Sequence, residues 1–410
     1  MVVVVCLVAV TIAVWPRSAD PVYVTDGSHV FTENLRAVEN LIHQENQRVV
    51  NSGKRYVSIA YAHVMTPGSD DALNEDLVRH EVEGAHLAQL AWNHPLGDPP
   101  EVLVRLLLAD EGARGDNWSQ TAKALTDRIG GTDRLVAVTG LGISVDNTRN
   151  LINALSTHKL AIVTATLTGD NMTMAQDGRG PVAGMVRVAP TNSNQAQAAV
   201  HFLDRQAATV PDHAVVLLVQ DQNRADEYAL SLGAAFTKAL SAGTTRQHSL
   251  VPLPMTFDSS LGNAAMILGS SADRVCTAQA DIVYFAGRED ELQGFLSGLA
   301  TRSCAGKRHL TVVSGDAIAH LAGERLWQGG DANMTVTFTT LAHPGMWSEH
   351  PEATTKTRAA RFDSCGGCYR QVFPGEPPDA LDDTGVITGH DAVWTAVKAL
   401  EYTRNTEPSA

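Results

Sequence analysis

The chain has 410 residues, 44% of them apolar and 19% charged, which is enough apolar material for a sizeable core and excludes a wholly disordered chain. Its 31 basic against 45 acidic residues give a formal charge of −14, which excludes the broadly basic surface of a nucleic-acid or anionic-membrane binder. The length suits two domains better than one or three.

From the N-terminus, Met1 to Trp15 is apolar apart from Thr11 and is closed by Pro16-Arg17. Fifteen helical residues span roughly 22 Å, short of a hydrocarbon core of roughly 30 Å. No basic residue precedes the run, and Cys6 follows four valines rather than the small residue of a lipoprotein cleavage site. Residues 1–19 read as a hydrophobic signal or anchor segment whose start lies upstream of Met1. The β-branched Val2 to Val5 also suits a buried strand. Residues 20–53 form a polar lead-in and linker, in which Leu35, Val38, Leu41 and Ile42 predict a helix ended by Asn51-Ser52-Gly53.

Apolar β-branched runs then alternate with helix-period segments. Strands are predicted at 56–64, 102–108, 135–139 and 160–164, with helices near 81–92, 118–129 and 146–155 between them. After Asn192 the cycle resumes with a helix to about Ala207, a strand at 214–219, a helix at 227–240, a strand at 281–285, a helix at 289–301 and a strand at 310–313. A strand at 334–341, a Cys/Gly/Pro-rich loop over 343–383 and a helix at 391–402 complete the chain, with 403–410 as a tail. Such alternation implies parallel sheets with right-handed crossovers and helices on both faces. A single open sheet of about ten strands is disfavoured, so the predicted fold is α/β with two doubly wound parallel-sheet lobes joined by a hinge. Residues 54–188 with 318–402 are assigned to the first lobe and 189–317 to the second. Ligands of open α/β sheets bind beyond the carboxyl ends of the strands, so two facing lobes make a cleft.

Four segments, in this order and spacing, resemble the type I periplasmic binding proteins, especially the leucine/isoleucine/valine-binding group. They are Ala137-Val138-Thr139-Gly140-Leu141-Gly142-Ile143-Ser144, Leu160 to Thr168, Arg187 to Gln195, and Asp281 to Arg288; the helix Asp391 to Ala396 supports them. The lead-in Val24-Thr25-Asp26-Gly27-Ser28 resembles actinobacterial, membrane-attached ABC-transporter substrate-binding proteins. The resemblance implies an extracytoplasmic protein without cofactor or catalysis. Its partners would be a small amino-acid-like ligand, an ABC permease and, through residues 1–19, the membrane.

Ser144 and Thr168 each follow a strand and precede a helix, where free N–H groups and the positive dipole end attract an anion. The resemblance gives both hydroxyls to a ligand carboxylate and Thr166 a backbone contact; simple helix capping is the other reading. Asp316 falls where amino-acid binders carry an acid for the ligand ammonium, and it also suits an N-cap for the helix from Ala317. Tyr228 lines the second lobe or belongs to its core. Arg288 departs from the family, standing where leucine binders have an aromatic residue. It serves either a second acidic group of a ligand or an ion pair with Glu289, Asp290 or Glu291.

Cys276 precedes the strand from Asp281 and Cys304 follows its return helix, which brings both to the end away from the cleft and suits a disulfide. Cys365-Gly366-Gly367-Cys368 suits a tight disulfide loop; a zinc half-site lacks a second ligand pair, and a redox pair would open a helix. His80, His86 and His94, six and eight apart, do not have zinc-helix spacing and read as exposed helix histidines, so no metal site is assigned. No nucleophile elbow, phosphate loop or zinc His-Glu motif is present. A membrane-tethered sensor using the same cleft and, third, an α/β enzyme stand as alternatives to a transport binder.

Overall fold

The computed structural model describes residues 21–68, 74–321, 326, 332–352, 362 and 368–406. The predicted anchor with Cys6, and Cys365 of the predicted Cys365–Cys368 bridge, lie outside the described residues. Among the described residues no helix is long and apolar enough to cross a membrane.

The first sheet contains β1 (Val24–Thr25), β2 (Arg55–His63), β3 (Val102–Asp110), β4 (Leu135–Gly140), β5 (Ala161–Thr164) and β6 (Met185–Arg187). Its order is β1-β3-β2-β4-β5-β6, parallel except at β1. The second contains β7 (Val215–Asp221), β8 (Ser249–Leu250), β9 (Met255–Phe257), β10 (Ile282–Ala286), β11 (Leu310–Ser314) and β12 (Met334–Phe338). Its order is β12-β11-β10-β7, with β8 and β9 both along the outer edge of β7, and every pairing is parallel.

Each sheet is buried on both faces, and the two-residue period of the strands sorts the side chains. In β2, Ile59 and Tyr61 enter one core while Ala60 and Ala62 enter the other. In β10, Val283 and Phe285 face one way, Ile282 and Tyr284 the other. One face of the first sheet is covered by α1 (Arg36–Asn51), α2 (Glu75–Asn93) and the C-terminal helix (Gly385–Thr406), the other by α3 (Trp118–Thr126) and α4 (Asp146–Thr157). The second sheet carries α5 (Asn192–Arg205) and α6 (Glu227–Ser241) on one face. Its other face holds α7 (Ala264–Ser271), α8 (Arg274–Thr277) and α9 (Glu289–Ala300).

Two boundaries differ from those expected. The lead-in is not a linker: β1 pairs with β3, and α1 buries Val38, Ile42 and Val49 in the first core. The chain does not return to the first lobe at 318, because Met334–Phe338 pairs with β11 and extends the second sheet. The chain passes from the first sheet to the second between β6 and α5.

Cys276 and Cys304 are joined, with their Cα atoms 5.6 Å apart, at the amino end of β10 and opposite the carboxyl ends of the strands. The bridge closes a loop of 28 residues. In the chain-entropy account that contributes roughly 3.6 kcal/mol by restricting the unfolded chain. Replacing both cysteines with alanine is therefore expected to lower stability by about that amount. Urea unfolding followed through the second lobe checks it, and an unchanged midpoint would refute it.

Candidate functional site

The carboxyl ends of β4 and β5 face those of β10 and β11 across a cleft lined by Ser144, Thr166, Thr168, Tyr228, Arg288 and Asp316. All six residues singled out in the sequence thus meet in one place. The lobes are closed over it. Asp146 N–H donates to Ala225 O at 3.0 Å, Tyr228 N–H to Ser144 O at 3.2 Å, and Arg149 pairs with Glu227 at 3.3 Å.

On the first lobe, the turn after β4 runs through left-handed backbone at Gly140 (φ 83°) and Gly142 (φ 41°), which glycine adopts without a Cβ penalty. A Cβ at Gly142 would also stand 3.3 Å from the buried Glu111 carboxylate. This turn carries Ser144 to the cleft. Neither hydroxyl caps its helix: Val145 and Gly169 occupy the cap positions. Ser144 Oγ instead accepts from Gly169 N–H at 3.2 Å, while Thr168 Oγ1 donates across the cleft to Asp316 Oδ1 at 3.4 Å. Thr166 Oγ1 donates to Gly142 O at 3.1 Å and braces the turn.

On the second lobe, Asp316 follows β11 and opens a short 3-10 turn, Asp316–Leu321. Gln195 of α5 grips it twice: Gln195 Nε2 donates to its carboxylate at 2.6 Å, and Gln195 Oε1 accepts its backbone N–H at 3.0 Å. Tyr228 is buried, and its hydroxyl accepts from Ala317 N–H at 3.1 Å. Enclosure in the cleft pushes the Asp316 carboxyl up to about 6, against the hydrogen bond from Gln195 and the charge of Arg288.

Arg288 does not pair with Glu289, Asp290 or Glu291. Its guanidinium forks onto Asp226, the buried N-cap of α6, with Nε–Oδ2 at 2.5 Å and Nη2–Oδ1 at 3.1 Å, and lies 5.1 Å from the Tyr228 ring centre. A carboxylate from its own lobe already fills the fork.

No protein-family model matches the chain, and no curated protein matches it in sequence. Solved structures do match. An ABC transporter substrate-binding protein from Desulfitobacterium hafniense is 18% identical over 85% of this chain and 84% of that one, with a TM-score of 0.56. A branched-chain amino acid transporter substrate-binding protein from Streptococcus pneumoniae, in complex with isoleucine, is 16% identical over 84% of both chains, with a TM-score of 0.54. A solute-binding protein of an ABC transporter from R. palustris, in complex with 4-hydroxybenzoate, is 12% identical over 85% and 81%, with a TM-score of 0.53. The chain has the type I periplasmic-binding-protein fold.

Within that type I fold, the cleft also holds residues not picked out from the sequence: His63, Glu81 and His320 line it. Glu81 was detectable, because it shares the apolar stripe of α2 with Val78, Val82 and Ala85, where a carboxylate needs a reason. His63 was too, as an imidazole at the end of the apolar run Ile59-Ala60-Tyr61-Ala62.

The histidines of α2 are not all exposed. His80 and His86 are buried, and only His94 reaches solvent. His80 Nδ1 lies 2.5 Å from Asp383 and Nε2 lies 3.0 Å from Glu376, which clamps the segment before the C-terminal helix onto α2. His80, Glu83 and Glu376 come close enough to chelate a cation. The countercharge there is Arg79, 2.8 Å from Glu376 and 3.6 Å from Glu83.

Proposed function

We propose that the chain is an extracytoplasmic solute-binding protein that captures an amino acid or a close derivative between its lobes and delivers it to an ABC permease. The observation that carries the reading is Asp316, a carboxylate that lines the cleft and meets Thr168 across it, with Ser144 lining the same cleft. An α-amino acid presents an ammonium and a carboxylate on one carbon. Asp316 would receive the first, and the hydroxyls and free N–H groups beside Ser144 and Thr168 the second. Tyr228, Thr166 and Arg288 would shape the remaining wall. The two relatives with isoleucine and 4-hydroxybenzoate bound carry carboxylate ligands, in keeping with this assignment. The Cys276–Cys304 bridge suits an oxidising compartment, and the hydrophobic residues 1–19 would hold the protein at the membrane.

The test is a thermal-shift screen of the purified protein against amino acids and other polar metabolites. A ligand at a hundred times its Kd should stabilise the folded state by about 2.7 kcal/mol. No shift with any of them, together with turnover of one, would replace the binding reading with an enzymatic one. Thr168→Ala should weaken binding at least tenfold, about 1.4 kcal/mol, in titration calorimetry. An unchanged Kd would remove Thr168 from the site.

A further inference from the structure

Arg288 and the two histidines that line the cleft each face a carboxylate. Asp226 takes the fork of Arg288, Glu289 Oε2 sits 2.6 Å from His320 Nε2, and Glu81 Oε2 sits 3.2 Å from His63 Nε2. A second carboxylate on a ligand would therefore find, among these residues, no basic side chain without an acidic partner. The acceptors are differently placed. Glu81 is only 3% exposed, yet it lines the cleft. Its Oε2 accepts from Tyr61 Oη at 2.6 Å as well as facing His63, while Oε1 has no hydrogen-bond partner among the described residues. A carboxylate oxygen at the ligand cavity that has no protein donor takes its donor from the ligand or from water there.

We propose that Glu81 is a specificity-determining residue that reads an N–H donor, an amide or an amine, at the far end of the ligand from its α-carbon. This rests on the amino-acid reading above. Asp316 on the second lobe would hold the α-ammonium and Glu81 on the first the side-chain nitrogen, so that the lobes close on the two ends of one molecule. Aliphatic side chains would leave Glu81 Oε1 dry and unpaired, and acidic ones would repel it.

The experiment is titration calorimetry of the full chain with glutamine, lysine, leucine and glutamate. Glutamine or lysine is expected to bind at least tenfold more tightly than leucine and glutamate, and whichever of the two prevails distinguishes an amide from an amine. Glu81→Gln should weaken the preferred ligand at least tenfold while changing the leucine Kd less than threefold. Leucine or glutamate binding as tightly as the nitrogen donors would overturn the inference and leave the amino-acid reading intact. Binding of none of the four would overturn both. The wild-type panel decides the matter even where the variant fails to fold.

Discussion

Asp316→Asn is expected to weaken the capture of an α-amino acid at least a hundredfold. The substitution keeps the shape of the side chain and removes its charge. In the closed cleft the carboxylate is satisfied by neutral donors alone, Gln195 Nε2 at 2.6 Å and Thr168 Oγ1 at 3.4 Å, with the nearest cation committed to Asp226. A ligand ammonium would supply the missing countercharge, and removing one partner of an enclosed charge pair costs about 2–5 kcal/mol. A hundredfold loss, about 2.7 kcal/mol, sits at the low end of that range.

The pH dependence provides a second readout. With its carboxyl at about 6, Asp316 is ionised at pH 8 and largely neutral at pH 5. Affinity for an ammonium-bearing ligand should therefore be flat above pH 7 and fall by about tenfold on going to pH 5. The asparagine variant should lose this step. For the unliganded protein the sign is opposite. A carboxyl raised on folding contributes stability below its unfolded value, and that contribution is lost as pH rises through 6. Asp316→Asn should then melt at higher temperature than wild type at pH 8 without ligand. Calorimetry and melting curves at pH 5 and pH 8 check both arms; a Kd for the variant within threefold of wild type would refute the assignment.

The long strands were legible because parallel sheets covered on both faces need near-continuous apolar runs, and β2, β3 and β10 are such runs. The strands β6, β8 and β9 have only two or three residues each and leave no periodic trace. The C-terminal helix was expected from Asp391 but begins at Gly385, since Gly385 and Gly389 read as helix breakers in isolation. At the site, position after a strand was enough to gather Ser144, Thr168 and Asp316. The partner of Arg288 was not legible. Asp226 lies 62 residues away on another element, and nearer carboxylates at 289–291 offered a local explanation.

Gly389→Val is expected to destabilise the first lobe by more than about 4 kcal/mol. The C-terminal helix lies along α2 with glycine facing backbone on both sides. A Cβ at Gly389 would fall well inside contact distance of the Glu81 carbonyl oxygen, and one at Gly84 would do the same to the Val386 carbonyl oxygen. A clash with a flexible side-chain tip can be relieved locally, but these are main-chain atoms inside two helices. The helices must separate along their length, and overpacking of that kind exceeds the usual 1–3 kcal/mol. The same face of α2 carries Leu77 and Glu81 into the cleft, so any variant that still folds should also bind its ligand more weakly. Gly306→Ala is the control, since nothing lies within 4 Å of a Cβ there; its urea midpoint should match wild type. A Gly389→Val midpoint within 1 kcal/mol of wild type would show that this helix pair is not the tight seam on which the first lobe's binding wall rests.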